Sequence, residues 1–76
     1  GIINKEKGHV SVVIQSAKAT RLRMKIVDLG GKEILQETFS VNSGGVIKDI
    51  YLNNGLYILQ LNNDEREMKS YKIIVR

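Results

Sequence analysis

Few side chains in this sequence are of the types that carry catalytic or metal chemistry. There is one histidine, His9, and there is no cysteine. A zinc site needs three or four ligands, and a hydrolytic triad needs a nucleophile, a base and a group that orients the base. Neither set can be assembled around His9 from local spacing, so we predict that His9 is exposed at a strand edge. No catalytic residue and no cofactor is predicted, and we do not expect an enzyme.

The acidic residues cluster once, at Asp64, Glu65 and Glu67. Carboxylate oxygens gathered in a turn could hold a hard cation such as calcium. Arg66 interrupts this cluster and the spacing matches no recognisable calcium loop, so we predict a solvated turn and no metal. Asp28 precedes the turn signal Leu29-Gly30-Gly31, and its carboxylate is expected to accept backbone N–H bonds across that turn.

Arg21, Arg23 and Lys25 place three cations on one side of an alternating stretch, in a chain of net charge +4. Such a charge permits attraction to nucleic acid, anionic glycans or lipid headgroups without selecting among them. Nucleic-acid binding on a β-surface also uses aromatic rings between the basic groups. The four aromatic residues lie in other stretches: Phe39, Tyr51, Tyr57 and Tyr71. We therefore predict a solvated sheet face and expect no nucleic-acid partner, with a basic five-stranded barrel that binds oligonucleotides as the alternative left open.

Extended segments must position all of these residues, because no stretch has sustained helical spacing. Alternating polarity predicts six strands, over residues 9–15, 21–28, 32–41, 46–52, 56–61 and 68–76. Residues 1–8 are expected to form a lead-in, in which Ile2-Ile3 adds a seventh strand if it pairs on an edge. Short strands separated by Gly/Asn turns every eight to twelve residues are typical of an antiparallel sandwich or a small barrel. We predict an all-β fold, a small antiparallel immunoglobulin-like β-sandwich of six to seven strands, in one domain over residues 1–76.

The stretch Leu52–Leu61 is the one around which the rest is organised. Asn54-Gly55 provides a residue that tolerates positive φ and a glycine, as a tight corner requires. The strand that follows is apolar on nearly both faces, which predicts a strand in the middle of a sheet that is covered by something else. Tyr57 comes two residues after the corner, as in the tyrosine corner of immunoglobulin-like sandwiches, where the ring enters the core and the hydroxyl bonds nearby backbone.

Strand phase predicts the core. The inward residues are expected to be Val10, Val12 and Ile14; Leu22, Met24 and Ile26; Ile34, Phe39 and Val41; Val46, Ile50 and Leu52; Tyr57, Leu59 and Leu61; and Tyr71, Ile73 and Val75. Lys48 is the exception, because it shares the inward phase of its strand. No apolar run approaches the ~20 residues that cross a bilayer, so no transmembrane segment is predicted. No signal peptide is visible, and the initial glycine suggests a processed or trimmed chain.

The order of these signals resembles the C-terminal sorting domains of the Bacteroidetes type IX (Por) secretion system. Val27-Asp28-Leu29-Gly30-Gly31-Lys32 is similar to that family's Tyr-Asp-Leu-x-Gly-Arg/Lys box, and Leu52–Tyr57 fits its Leu-x-x-Gly-x-Tyr box. Lys72–Arg76 looks like its Lys-rich hydrophobic terminus. Asn4 and Gly8 match the first box, Pro-Asn-Pro-x-x-Gly, with Ile3 and Lys5 at the positions of the two prolines.

The resemblance implies a non-enzymatic domain at the C-terminus of a covalently attached cargo protein. It implies recognition by an outer-membrane translocon, removal by a surface sortase, and export from the periplasm to the outer membrane surface or the medium. The residues that it assigns to recognition are Asp28, Gly31, Leu52, Gly55, Tyr57, Lys72, Ile73, Ile74, Val75 and Arg76. The alternative is a small secreted or cell-surface immunoglobulin-like module that binds protein or glycan.

Overall fold

A computed structural model describes residues 1–4 and 6–76 of the chain. Lys5, at the position of the second proline of the first box, lies outside the described residues. Seven strands follow one another in the chain: β1 (Ile2–Asn4), β2 (His9–Ile14), β3 (Thr20–Asp28), β4 (Glu33–Val41), β5 (Val46–Tyr51), β6 (Gly55–Asn63) and β7 (Met68–Val75). The all-β prediction is confirmed, and the lead-in contains the seventh strand.

The strands form two antiparallel sheets that face each other. One has three strands in the order β1-β2-β5, and the other has four in the order β4-β3-β6-β7. The chain therefore changes sheet between β2 and β3, between β4 and β5, and between β5 and β6. This exchange produces a sandwich in which β6 is an interior strand, as its sequence predicts, and β7 is an edge strand.

The core lies between the sheets and is built from the inward phase of six strands. Met24, Ile26 and Leu59 of the four-stranded sheet are fully buried, and they share one core cluster with Val10 and Val12 of the three-stranded sheet. Full burial of each such side chain stabilises the fold by about 1.5–3 kcal/mol. The chain contains no cysteine, so this apolar contact stands without a disulfide.

One predicted core residue is wrong. Ile34 is 42% exposed, whereas its neighbour Leu35 packs against the core. Leu35 lies opposite Ile26 and Glu33 lies opposite Val27, so Ile34 is an extra residue in β4. A β-bulge of this kind shifts the phase of a strand by one residue. Alternation from Phe39 and Val41 places Leu35 inward and Ile34 outward, and the bulge moves Glu33 out of the inward phase.

Lys48 shares the inward phase of β5, and its contacts explain this position. It lies on the side of the sandwich where β4 and β5 are both edge strands. Lys48 Nζ lies 2.8 Å from Glu37 Oε1 and 4.4 Å from the centroid of the Phe39 ring. Glu37 and Phe39 lie on β4, whereas Lys48 lies on β5, so this ion pair and cation–π contact connect the two sheets. The Lys48 alkyl chain can cover the margin of the core while its ammonium stays near solvent.

β6 lies in the middle of its sheet, as predicted, and the other sheet covers one of its faces. Tyr57 and Leu59 point into the core, but Leu56 is 36% exposed and Ile58 is only half-buried. No described element packs on this side of the four-stranded sheet. The outward apolar residues of β6 therefore belong to a surface.

Within the described residues, no helix is long and apolar enough to span a membrane.

Candidate functional site

Three of the sequence boxes meet at one end of the four-stranded sheet. β3 brings Asp28 opposite Tyr57 of β6, and Tyr57 lies opposite Ile73 of β7. One residue further from this end, Val27, Ile58 and Lys72 form the next cross-strand row. Boxes that are separated by about twenty residues in the sequence thus become neighbours across three adjacent strands.

The first box joins the same end through the backbone of Gly8. The Gly8 N–H donates to the carbonyl oxygen of Arg76 at 3.0 Å, and the Leu52 N–H donates to the carbonyl oxygen of Gly8 at 2.9 Å. Gly8 has φ +78°, and a Cβ at this position would lie 3.1 Å from the Leu52 carbonyl oxygen. A glycine is favoured here because both the backbone conformation and the close approach disfavour a side chain. All four boxes therefore converge on this one end of the sandwich, which we call the motif end.

Asp28 organises the β3–β4 turn as predicted. Its Oδ1 accepts hydrogen bonds from the Gly30 and Lys32 N–H groups, both at 2.9 Å. Gly31 donates its N–H to the Asp28 carbonyl oxygen at 3.0 Å and has φ +87°. A three-residue hairpin loop of this type needs a residue in the left-handed region at its end, which glycine supplies. The role of this box is therefore first of all structural.

We expect Asp28→Ala to destabilise the domain by about 1–2 kcal/mol, because two backbone donors lose a charged acceptor that is partly exposed. Asp28→Asn retains one side-chain oxygen and should cost less. Urea unfolding of the two variants and the wild type measures the difference. Equal stability of Asp28→Ala and the wild type would contradict this role for the carboxylate.

Tyr57 forms the corner that its position predicts. Its side chain is 8% exposed, and its hydroxyl donates to the Asn53 carbonyl oxygen at 2.7 Å. One detail differs from expectation: Arg66 is the one non-glycine residue with positive φ in the described part of the chain, so Asn54 does not use the left-handed region. The corner is held by the tyrosine hydroxyl rather than by an unusual asparagine conformation.

The terminal strand divides the predicted recognition residues between the core and the surface. Ile73 and Val75 are 1% and 3% exposed and pack in the core. Lys72, Ile74 and Arg76 are exposed, with Ile74 at 47%. Elsewhere in the set, Asp28 and Leu52 are half-buried, Tyr57 is buried, and Gly31 and Gly55 are exposed. A partner can therefore contact only part of the set directly.

The position of His9 corrects the sequence prediction. β2 is the central strand of its sheet, and the His9 side chain is 12% exposed rather than exposed at an edge. Its Nε2 lies 2.9 Å from Asp49 Oδ1, which also accepts a 2.6 Å hydrogen bond from Ser11 Oγ. The ring stacks on Tyr51 with a centroid separation of 4.6 Å.

This arrangement does not activate a nucleophile. In a hydrolytic triad the histidine lies between the carboxylate and the hydroxyl. Here the Asp49 carboxylate lies between the histidine and the hydroxyl of Ser11, so the imidazole has no access to the hydroxyl proton. Cross-strand register explains the cluster, since His9 is opposite Tyr51 and Ser11 is opposite Asp49. The sequence separation of about forty residues hides it from local spacing.

The acidic turn between β6 and β7 is organised by an asparagine. Asn63 Oδ1 accepts hydrogen bonds from the Glu65 and Glu67 N–H groups, both at 2.9 Å, and Asn63 Nδ2 donates to Glu67 Oε1 at 2.9 Å. Lys18 Nζ lies 3.2 Å from Glu65 Oε1. Among the described residues, no group of three or more histidine or carboxylate side chains is placed to hold a metal ion.

The basic stripe lies on the uncovered side of the four-stranded sheet. Arg21 and Arg23 are exposed, whereas the intervening Leu22 is buried. Phe39, Tyr57 and Tyr71 pack in or against the core, and Tyr51 stacks on His9 of the other sheet. The aromatic rings therefore do not lie between the cations, as a single-stranded nucleic-acid platform would require.

Sequence reasoning did not assign three outward apolar residues to the motif end. Val27 and Ile58 lie in one cross-strand row with Lys72, and Leu56 lies opposite Ile74. The alternation of β6 indicated that Leu56 and Ile58 share a face, but only the strand order shows that this face is uncovered. Together with Ile74 of the edge strand β7, they form an apolar surface.

Of the comparisons with known proteins, the one with family models identifies the family. The family model described as "Secretion system C-terminal sorting domain" matches residues 4–76. No curated protein and no solved structure matched the chain. Because the family match extends over nearly the whole chain, the chain belongs to the C-terminal sorting domains of the type IX secretion system, the signals of proteins that are exported through the outer membrane.

Proposed function

We propose that this domain is a non-enzymatic export signal that the outer-membrane type IX machinery recognises at the motif end. The observation that carries the proposal is the convergence of four separate boxes on one end of the four-stranded sheet, where Gly8 bonds both Leu52 and Arg76. A protein that binds the motif end would contact all four boxes only when the domain is folded. The signal is then a folded surface rather than a linear peptide.

The terminal strand supports strand addition as the recognition mode. β7 pairs with β6 on one side and with no described strand on the other. An edge strand presents a row of N–H and C=O groups that another strand can use, while outward side chains set selectivity. Lys72 and Ile74 point away from the core along this strand and are available for that second role. A lysine on an edge also discourages pairing with unintended strands.

In this proposal the domain follows a covalently attached cargo and folds in the periplasm before recognition. A surface sortase then removes it, which leaves the cargo on the outer membrane surface or in the medium. Folding requires no cofactor in this proposal, because the apolar core of the sandwich lies between two sheets held by backbone pairing. The residues of the recognition set act either by forming the motif end or by contacting the partner.

The direct test is export of a reporter. Residues 1–76 are fused behind a periplasm-targeted fluorescent protein in a bacterium with a type IX system, and a translocon-deficient strain serves as the control. We expect the reporter outside the wild-type cells and inside the deficient ones. Retention in both strains with the domain folded would contradict the proposal and favour the alternative, a surface module that binds protein or glycan.

A further inference from the structure

The side of the four-stranded sheet opposite the core, which we call the outer face, is divided into two chemically different ends. At the end remote from the boxes, Arg23 of β3 lies between Thr38 of β4 and Asn62 of β6. At the motif end, Val27, Ile58 and Lys72 form one row and Leu56 lies opposite Ile74. Met68, 60% exposed, lies opposite Asn62 in the remote row, and Lys72 lies in the row at the motif end. The outer face therefore carries its two arginines at the remote end and most of its apolar side chains at the motif end.

The charge on this face is predominantly positive and mostly unneutralised. Arg21, Arg23, Lys25 and Lys72 lie on it, and Glu33, opposite Val27, is the one carboxylate that the strand register of the described residues places there. Glu33 Oε1 lies 3.8 Å from Lys25 Nζ. Arg21, Arg23 and Lys72 form no ion pair with any described residue within 4.0 Å.

The two arginines also share a surface depression. Arg21 and Arg23 line it together with Thr38, Asn62 and Asp64 of the β6–β7 turn, and the Asp64 carboxylate forms no ion pair with either arginine within 4.0 Å. Guanidinium groups, a hydroxyl and an amide can all donate hydrogen bonds to carboxylates. The depression therefore suits a carboxylate side chain of another molecule.

We propose that the outer face docks on an acidic surface of a protein of the export machinery, with carboxylates at Arg21 and Arg23 and apolar side chains at the motif end. This inference rests on the proposed function. Opposite charges across an interface raise association rates and fix orientation, and arginine is enriched at interface centres. The face is continuous with β7, so one partner can pair with the edge strand and cover the face.

The geometry favours a protein over a lipid surface. The apolar residues lie on a pleated sheet, where Val27 and Ile58 are half-buried and Leu56 is 36% exposed. Interfacial membrane binding requires apolar groups that reach about 5–10 Å into the headgroup and acyl boundary. Ile74, on the edge strand, is 47% exposed. Side chains that stay partly covered by their own sheet match a complementary protein surface better than a bilayer.

The test is the rate of reporter export for Arg21→Glu/Arg23→Glu, with Lys18→Glu/Arg66→Glu as the matched control. Both double variants lower the net charge of +4 by the same amount, and Lys18 and Arg66 are exposed in connections between strands, outside the outer face and away from the motif end. We expect export of the arginine variant to slow by about tenfold or more, the lower part of the range over which electrostatic steering acts. The control should export at the wild-type rate, and thermal unfolding should show both variants folded.

The outcomes separate this inference from the proposed function. Failure of the unchanged domain to export the reporter would overturn both. Normal export by the unchanged domain and by the arginine variant, or equal slowing of both double variants, would overturn the docking face alone. A lipid occupant is tested by co-sedimentation with vesicles of equal parts phosphatidylglycerol and phosphatidylcholine. If the wild type binds these vesicles and the arginine variant does not, the outer face binds a membrane, and the proposal of a protein partner is overturned.

Discussion

Tyr57→Ala is expected to destabilise the domain by about 3–5 kcal/mol, the range for truncation of large aromatic side chains in cores. Its ring is 8% exposed and lies between Asp28 and Ile73 across the sheet. At 76 residues, a domain of ordinary stability unfolds at a cost of about 4–11 kcal/mol. The substitution therefore removes much or all of the stability, and urea unfolding or loss of the β-sheet circular dichroism signal measures it.

Tyr57→Phe is the matched control, because it retains the ring and removes only the hydroxyl. The lost bond to the Asn53 carbonyl oxygen should cost about 1 kcal/mol. A large difference in unfolding free energy between the two variants would show that burial of the ring provides most of the stabilisation and the corner hydrogen bond a small part. Equal and small effects of both would contradict the burial of Tyr57.

Local turn chemistry explains which features the sequence made predictable. The Asp28 carboxylate and the Tyr57 hydroxyl each bond backbone within four residues, so their roles follow from short spacing. The inward residues of β2, β3 and β7 also follow, because these strands alternate without interruption. In β4, Leu35 shares the phase of Phe39 and Val41, so the prediction of Ile34 departs from the alternation, and the bulge at Ile34 changes the phase only of Glu33 before it.

Long-range pairing explains what remained hidden. His9 and Asp49 meet because β2 and β5 are neighbours, and nothing near either residue identifies the other. The convergence at the motif end depends on the strand order β3-β6-β7 and on the Gly8 backbone. The resemblance provided the boxes and their order, whereas only the register shows that they share one surface.

The same register separates two roles within the terminal box. Ile73 lies opposite Tyr57 and Val75 lies opposite Gly55, so both are part of the core and ladder. Lys72 and Ile74 alternate with them and face outward. A box that appears continuous in the sequence thus contains residues that hold the fold and residues that are free to contact a partner.

Deletion of Lys72–Arg76 is expected to abolish export while the upstream cargo stays folded. One reason is that the deletion should unfold the sorting domain itself. Removal of Ile73 and Val75 takes two buried side chains from the core. Truncation of one buried isoleucine to alanine typically costs about 2–5 kcal/mol, so the deletion is comparable with the whole stability of the domain. Normal export of the truncated chain would contradict both the fold and the recognition proposal.

The outward pair isolates recognition from folding. Lys72→Glu/Ile74→Ser should leave the unfolding free energy within about 1 kcal/mol of wild type, because substitutions at exposed positions usually cost about 0.5 kcal/mol or less each. Its export should fall toward that of the truncation, since strand addition along β7 would meet a reversed charge and lose an apolar contact. The matched control is Lys18→Glu/Ile47→Ser, which makes the same two changes at exposed positions away from the motif end, Ile47 being 61% exposed on β5. If Lys72→Glu/Ile74→Ser is exported at the wild-type rate, the terminal box serves only the fold. If this variant loses export and the control does not, β7 is the strand that the export machinery recognises.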